Sequence, residues 1–288
     1  MAADIREITV ISGKGGTGKT SLTASFAVLA QNAVMADCDV DAADLHLLLS
    51  PEERQRHRFD SGRLAAIAPE RCTGCGLCLK HCRFGAVSVS GGKCSISPES
   101  CEGCGVCVRV CPAGAIDFPE RHCGRWMVSE TRCGPMVHAR LAAAAENSGK
   151  LVSIVRSQAR MLARESGRGL IITDGPPGIG CPVIASLTGT SLAVAVTEPT
   201  VSGEHDLLRV LSLAGHFGVP QAVCVNKWDL NPEMAARIEE KAAGAGARIA
   251  GRIRYDPAVT KAQIEAKAVV ETDAPSAGDI RNIWNKLK

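Results

Sequence analysis

The sequence predicts an α/β fold in which a mostly parallel sheet, with helices on both faces, is interrupted by one small inserted domain. Short β-branched apolar runs alternate with helix-like stretches along most of the chain. The glycine-rich stretch "GKGGTGKT" joins the first apolar run to the first helix-like stretch. Between residues 63 and 120 the alternation gives way to cysteine, glycine and short turns, which indicates an insertion.

The strand-like and helix-like segments follow one another in the order typical of a parallel sheet. The predicted strands are residues 8–12, 34–36, 170–173, 192–196, 222–225 and 249–253. The predicted helices are residues 19–30, 153–165, 205–214 and 233–242. The expected domains are therefore a main domain built from residues 1–62 and 121–288, and an inserted domain of residues 63–120.

Composition limits the classes of function. A chain of 288 residues is long enough for a large domain and a small one. The net charge is only +3 and aromatic residues make up 3%, which argues against nucleic acid as a partner. Apolar runs are only strand-length, so we expect a cytoplasmic protein without stable membrane insertion. In that compartment the 14 cysteines should be reduced, which favours metal ligation over disulfides.

The stretch "GKGGTGKT" has the pattern of a phosphate-binding loop at the start of a helix. In this pattern Lys19 holds the β- and γ-phosphates, and the Thr20 hydroxyl is a ligand of Mg²⁺. The predicted nucleotide-binding residues of the loop are Gly13, Lys14, Gly15, Gly16, Thr17, Gly18, Lys19, Thr20 and Ser21. A glycine turn without a ligand is the alternative, but the strand, loop and helix context disfavours it.

Lys14 departs from a generic phosphate-binding loop, because a second lysine adds positive charge beside the γ-phosphate position. With it, "KGGTGK" resembles the signature of the deviant Walker A ATPases, a family that includes MinD, ParA, Mrp and the nitrogenase iron protein. The resemblance implies ATP hydrolysis with ATP or ADP and Mg²⁺ as cofactors. It also implies an ATP-dependent homodimer, or a heterodimer with a paralogous ATPase, in which Lys14 reaches the partner's nucleotide. A solvated loop lysine is the alternative.

Three further positions match this family. "DCDVDAADL" follows the second predicted strand, and the resemblance implies that Asp39 is the switch I aspartate that orients the attacking water. "DGPPGIG" resembles switch II, which places Asp174 close to Mg²⁺. Asn226 in "VNKWD" resembles the asparagine that recognises adenine. The predicted catalytic residues are thus Lys14, Lys19 and Asp39.

The inserted segment contains two cysteine runs, "CTGCGLCLKHC" and "CEGCGVCVRVC", separated by an offset of 29 residues. Each has the spacing of bacterial ferredoxins, in which three cysteines bind one [4Fe–4S] cluster and the fourth binds the other. Cluster I is predicted to take Cys72, Cys75, Cys78 and Cys111. Cluster II is predicted to take Cys82, Cys101, Cys104 and Cys107. Zinc is the alternative, but zinc sites favour well-separated cysteine pairs. We therefore expect a small bacterial-ferredoxin-like α+β domain.

Two other features leave alternatives open. Cys123 and Cys133 invite a third, subunit-bridging cluster like that of the nitrogenase iron protein, although no close cysteine pair supports it. Most of the remaining cysteines, Cys94 among them, are expected to be inert. The final "DIRNIWNKLK" has an apolar face. It could be a membrane-binding helix like that of MinD or a helix docked on its own domain.

Three functions combine these features. The favoured one is ATP-gated electron transfer from the clusters to an unidentified redox partner protein. The second is an iron–sulfur carrier or assembly ATPase like Mrp, with an iron–sulfur partner. The third is a positioning ATPase like MinD or ParA with structural clusters. The first ranks above the second because four thiolates hold each cube, which makes it poor cargo.

Overall fold

A computed structural model of the chain describes residues 5–142 and 148–288. The chain divides into two compact units. The first consists of Met1–His57, Arg125–Arg140 and Ser148–Lys288, and the second of Arg58–Gly124 and Leu141–Asn147. Both cysteine runs lie in the second unit. The domain bounds at residues 62 and 120 stay a prediction.

The strands and helices are numbered in chain order. The strands are β1 (Arg6–Ser12), β2 (Ala33–Asp37), β3 (Glu52–Arg63), β4 (Ala66–Ile67), β5 (Val87–Ser90), β6 (Lys93–Ile96), β7 (Ile116–Asp117), β8 (Glu120–Thr131), β9 (Gly134–Leu141), β10 (Leu170–Pro177), β11 (Leu192–Thr197), β12 (Gln221–Asn226) and β13 (Arg248–Ile253). The α-helices are α1 (Lys19–Ala30), α2 (Leu45–Leu49), α3 (Leu77–His81), α4 (Val106–Val110), α5 (Ser148–Glu165), α6 (Cys181–Leu187), α7 (Val201–His216), α8 (Pro232–Gly244), α9 (Ala258–Ile264) and α10 (Pro275–Leu287).

One large sheet in the described residues has the strand order β13-β12-β11-β1-β10-β2-β9-β8-β3. Its neighbouring strands from β13 to β9 pair in parallel, which confirms the predicted mostly parallel sheet. β1 is central, with Thr9 opposite Thr173 of β10 and Ala193 of β11. The loops that follow β1, β2 and β10 therefore leave the same edge of the sheet, where ligands bind in open α/β folds.

Helices cover both faces of this sheet, as the sequence predicts. Neighbouring residues of a strand point to opposite faces. Accordingly, Val194 of β11 packs in one core cluster with Phe26 of α1 and Trp284 of α10. Ala193, the preceding residue, packs in a second cluster with Leu207 of α7. Burial of apolar side chains on both faces explains why the strands read as nearly continuous apolar runs.

The C-terminal helix α10 is docked on its own unit. Its apolar residues Ile280, Ile283, Trp284 and Leu287 are buried, and the Trp284 ring lies 5.1 Å from that of Phe26. The apolar face therefore belongs to the core. In the part of the chain that the structure describes, no helix is long and apolar enough to cross a membrane.

The second unit repeats one arrangement twice. A short strand precedes each cysteine run, a five-residue helix lies inside the run, and another short strand follows it. β4 pairs with β7, and β5 pairs with β6, both antiparallel. Helices α3 and α4 each follow a glycine with positive φ, Gly76 at 72° and Gly105 at 71°. The repeat in the sequence is thus a repeat in the backbone.

Candidate functional site

The glycine-rich stretch forms the turn between β1 and α1. Gly18 has a φ of 88°, which other residues rarely adopt, and a Cβ there would lie 2.4 Å from Nδ2 of Asn226. The same Nδ2 donates a hydrogen bond of 2.8 Å to the carbonyl of Thr17. Glycine is therefore required where the loop meets the end of β12.

The Lys19 side chain contacts two other predicted site residues. Its side chain is only 6% exposed, and its Nζ lies 3.0 Å from Oδ1 of Asp174 and 3.3 Å from Oδ2 of Asp39. Burial disfavours the charged ammonium, but the carboxylates of Asp174 and Asp39 outweigh that penalty and raise the pKa of Lys19. The site thus holds a fixed positive charge at the start of α1.

Asp174, at the end of β10, organises the first turn of α1. Its Oδ2 accepts a hydrogen bond of 2.8 Å from the Thr20 hydroxyl, and its Oδ1 accepts one of 2.8 Å from Thr23. Hydroxyl and carboxylate oxygens are the ligands that Mg²⁺ prefers, so Thr20 and Asp174 fit that ion. Sequence analysis missed Thr23, which lies one helical turn beyond the loop.

Asp37 is one of the acidic residues in "DCDVDAADL", and the sequence indicates no individual role for it. It is fully buried, and its carboxylate accepts backbone hydrogen bonds from Asp39 and from Leu45. Burial, together with the charge of Asp174, raises the pKa of Asp37 well above its usual value. Burial likewise raises the pKa of Asp39, against the opposing charge of Lys19. Asp37 fixes the loop that presents Asp39.

Lys14 contacts the N-terminal end of α7 in its own chain. Its Nζ donates to Oγ of Ser202 at 3.1 Å and to Oγ1 of Thr200 at 3.4 Å. It also lies 3.7 Å from Oε2 of Glu198, whose Oε1 lies 2.6 Å from Nζ of Lys227. These contacts leave Lys14 about one-third exposed. Its expected reach to a partner's nucleotide stays a prediction.

A cavity of about 360 Å³ lies beside the loop and is lined by Gly16, Gly18, Ser21, Asn226 and Asp256, among others. Its volume lies in the range of small-molecule sites. The Thr17 hydroxyl in the same loop is buried without a hydrogen-bond partner among the described residues. A cavity and an unpaired polar atom at a glycine-rich turn fit a bound nucleotide. Of the predicted nucleotide-binding residues, Gly16, Gly18, Ser21 and Asn226 line this cavity.

Two cavities in the second unit collect the cysteines of the runs. One, which we call site I, is lined by Cys72, Cys75, Cys78 and Cys111, and also by Cys94. The other, site II, is lined by Cys82, Cys101, Cys104 and Cys107. Each cavity therefore contains three cysteines of one run and the last cysteine of the other, which are the groupings predicted from the spacing.

These cysteines do not converge on a single point. Within residues 5–142 and 148–288, no three His, Cys, Asp or Glu side chains are placed to hold one metal ion together. A mononuclear zinc site needs all its thiolates about 2.3 Å from one ion. A cube of four irons binds each thiolate through a different iron, so its ligands surround a larger volume. Iron–sulfur clusters at these sites stay a prediction.

The other cysteines are mostly buried. Cys38 and Cys224 are inaccessible in the first unit, and burial raises the pKa of both thiols. The Cys123 thiol is also buried and donates to the carbonyl of Ser61. Cys133 is partly buried against the core of the first unit. The third, bridging cluster suggested for Cys123 and Cys133 remains an untested alternative.

Comparisons with known proteins agree with the loop and the sheet. The family model described as "CobQ/CobB/MinD/ParA nucleotide binding domain" matches residues 8–269. The protein MJ0578 of Methanocaldococcus jannaschii is 36% identical over 231 residues, which are 79% of this chain and 80% of that protein. A match of this extent establishes the family.

Solved structures share the fold at low identity. MinD of Pyrococcus horikoshii, in complex with Mg-ADP, superposes with a TM-score of 0.61 at 16% identity, over 99% of this chain and 96% of that one. MinD of Pyrococcus furiosus gives 0.58 at 17% over 100% and 98%. A ParA family ATPase of Chlorobium tepidum gives 0.54 at 17% over 98% of both chains. The chain therefore belongs to the CobQ/CobB/MinD/ParA family of nucleotide-binding proteins, which includes the MinD and ParA ATPases.

Proposed function

We propose that this protein is a dimeric ATPase switch with two [4Fe–4S] clusters, whose electrons it delivers to a partner protein under the control of ATP. The observation that supports the clusters most is the composition of sites I and II. The lining of each includes four cysteines in the crossed grouping of a two-cluster ferredoxin.

The ATPase half of the proposal uses the residues around Lys19. The loop N–H groups and Lys19 would hold the phosphates, and the Lys19 ammonium would then exchange its contacts with Asp174 and Asp39 for phosphate oxygens. Thr20 and Asp174 would hold Mg²⁺, which neutralises charge on the phosphates. Freed from Lys19, Asp39 could orient the attacking water.

Residues outside this centre would contact the adenine base and the nucleotide of the partner subunit. The Asn226 amide lines the cavity beside the loop, where it could contact adenine. Lys14 would leave Ser202 and Thr200 and reach the nucleotide of the second subunit. Its partial exposure and long contacts are consistent with such a move.

The proposed cluster binding is also supported by backbone N–H groups that donate hydrogen bonds to cysteine sulfurs. The Gly74 N–H donates to the Cys72 sulfur at 3.4 Å, and the Ala115 N–H donates to the Cys111 sulfur at 3.4 Å. Backbone donors of this kind stabilise thiolates and tune iron–sulfur potentials. Two of the proposed ligands of site I, Cys72 and Cys111, thus already accept backbone hydrogen bonds.

A second candidate function, the iron–sulfur carrier, is favoured by one observation. Cys75 and Cys104 are exposed, so an acceptor protein could reach a ligand of either cluster. The positioning function receives less support, because the apolar face of α10 lies in the core.

Metal analysis of protein purified without oxygen tests the clusters. We expect about eight iron and eight sulfide per chain, as two four-iron cubes require. Replacing Cys82 with Ala should remove the EPR signal of cluster II and keep that of cluster I, although Cys82 belongs to the first run. Stoichiometric zinc without sulfide would refute the clusters.

An anaerobic pull-down with a non-hydrolysable ATP analogue, and in parallel with ADP, tests the gated delivery of electrons. A redox partner should be retained with only one of the two nucleotides. After incubation with that partner, iron should stay on this chain while the partner becomes reduced. Transfer of iron and sulfide to the partner would favour the carrier instead.

A further inference from the structure

Sites I and II are related residue by residue through the repeat. Adding 29 to a residue number in the first half gives its counterpart in the second. Every residue that lines site I has a counterpart lining site II. Outside the eight predicted ligands these pairs are Ile67 and Ile96, Thr73 and Glu102, Gly76 and Gly105, Ala65 and Cys94, Ala86 and Ala115, and Val87 and Ile116.

In one of these pairs, only one of the two residues has a sulfur atom that could bind iron. Cys94 of β6 lines site I, whereas its counterpart Ala65, next to β4, lines site II. Site I therefore has five thiols and site II has four. The methyl group of Ala65 offers no ligand atom in the same place.

In both halves, the backbone just before Cys94 or Ala65 packs closely against the loop of a cysteine run. A Cβ on Gly74 would lie 2.0 Å from the carbonyl oxygen of Gly92, and a Cβ on Gly103 would lie 2.3 Å from that of Arg63. Each contact joins a cysteine loop to the residue two positions before Cys94 or Ala65. Cys94 and Ala65 are therefore equivalent in their packing as well as in their place in the repeat.

Cys94 also packs together with two of the predicted ligands of site I. It is only 5% exposed, and it lies in one buried cluster with Cys78, against which Cys72 also packs. Its thiol therefore shares a cavity wall with both predicted ligands, Cys72 and Cys78.

We propose that Cys94 is a reserve ligand of site I that can replace Cys72 or Cys78 on the cluster. This inference rests on the proposed clusters. When one of these two ligands leaves its iron, the Cys94 thiol gives its proton to solvent and its sulfur bonds to that iron, so the cube keeps four thiolates. The lost ligand takes up a proton, and no electron is transferred. Site II lacks this exchange because Ala65 occupies the equivalent position.

The test compares iron and sulfide in full-length variants purified without oxygen. Cys78→Ala should retain about eight iron per chain, whereas Cys78→Ala combined with Cys94→Ala should retain about four. Alanine is used because serine could itself bind iron. Cys107→Ala, the counterpart of Cys78→Ala at site II, should retain about four. Adding Ala65→Cys to Cys107→Ala should restore about eight.

The outcomes separate this inference from the clusters themselves. Wild-type protein without sulfide would refute the clusters, and the reserve ligand with them. Wild-type protein with about eight iron, combined with about four in both Cys78→Ala and Cys72→Ala, would refute the reserve ligand alone. Cys72→Ala also replaces Cys78→Ala if the latter does not accumulate, because Cys94 lines the same cavity as both thiols. The EPR spectrum of cluster II, unchanged in either variant, shows that the unit has folded.

Discussion

The Nζ atom of Lys19 lies 3.0 Å from Oδ1 of Asp174, and both side chains are buried. This ion pair connects the start of α1 to the end of β10, and Asp39 shares the same ammonium. Phosphate oxygens would compete with these carboxylates for Lys19. Nucleotide binding should therefore change the partners of Asp39 and Asp174, the two residues that the family resemblance assigns to the switches.

Lys19→Ala and Lys14→Ala should have different effects on nucleotide binding. Lys19→Ala should weaken ATP binding at least about tenfold, because a hydrogen bond to a charged group contributes about 1.5–3 kcal/mol. Lys14→Ala should bind ATP nearly as wild type does but fail to dimerise or hydrolyse it. Calorimetry, chromatography with an ATP analogue and phosphate release measure these quantities.

Lys227→Ala is the matched control for Lys14→Ala, since Lys227 also pairs with Glu198. It should dimerise, because it removes a contact of Glu198 without removing the charge assigned to the partner's nucleotide. Equal loss of binding in Lys19→Ala and Lys14→Ala would contradict the role given to Lys14.

The buried ion pair of Glu7 and Arg156 should contribute strongly to the stability of the first unit. The guanidinium of Arg156 makes two hydrogen bonds to the Glu7 carboxylate, at 2.7 and 2.8 Å, and both side chains are at most 5% exposed. Arg156→Met leaves a buried carboxylate with Arg160 as its remaining cation. We expect a loss of about 3 kcal/mol in the free energy of unfolding.

Arg132→Met provides the comparison, because Arg132 pairs with Glu271 at a more exposed position. It should lose at most about 1 kcal/mol. Urea denaturation followed by circular dichroism measures both values. Similar losses in the two variants would show that burial does not set the contribution of these ion pairs.

Local sequence patterns predict most residues of the site, whereas contacts between residues that are distant in the sequence have no such pattern. The loop around Lys19 and the cysteine runs were predicted because their backbone requirements fix the residue types over a short stretch. The ion pair of Glu7 and Arg156 joins residues 149 positions apart, and no local pattern indicates it. Likewise, no local pattern distinguishes Asp37 from the neighbouring acidic residues.

The first half of β3, a strand that was not predicted, lacks an apolar pattern. Residues 52–58 of β3 read "EERQRHR" and are almost all exposed, so neither alternation nor an apolar run indicates a strand. Their strand conformation comes from backbone pairing at the edge of the sheet, where charged side chains also discourage pairing with other chains. The inserted segment was therefore recognised, but the long strands that flank it were not.

His138 should make the first unit less stable in mild acid. Burial, reinforced by the charges of His46 and Arg140, lowers the pKa of His138 to about 4. In the unfolded chain its pKa is about 6.5, so the unfolded state takes up a proton first as the pH falls. The stability associated with neutral His138 is present above pH 6.5 and is lost as the pH falls to 4. At pH 5 the loss is about 2 kcal/mol.

His138→Gln should reduce this dependence of stability on pH. The free energy of unfolding, from urea denaturation at pH 7 and pH 5, should fall by about 2 kcal/mol less in this variant than in wild type. His205→Gln, at an exposed position, should follow the wild type. A His138→Gln protein with the pH dependence of the wild type would show that this imidazole is not buried in neutral form.

The last prediction concerns the coupling of nucleotide and clusters. Chain continuity motivates it, since Asp39 is followed by α2 and then by β3, a strand that runs from residue 52 in the first unit to residue 63 in the second. An ATP analogue should change the midpoint potential of at least one cluster. By linkage, a shift of about 60 mV in a one-electron potential requires that reduction change ATP affinity about tenfold, or about 1.4 kcal/mol.

Redox titrations followed by EPR, without nucleotide, with ADP and with the analogue, measure the potential, and calorimetry on oxidised and reduced protein measures the affinity. The two results must agree in size because linkage is reciprocal. Lys19→Ala is the control, since at nucleotide concentrations too low to occupy this weakened site it should show the nucleotide-free potential in all three conditions. If potential, EPR lineshape and electron-transfer rate stayed constant in wild-type protein that dimerises with the analogue, ATP would not gate the clusters. The nucleotide would then control only the docking of a partner, and the cysteine-rich unit would be a passive electron relay.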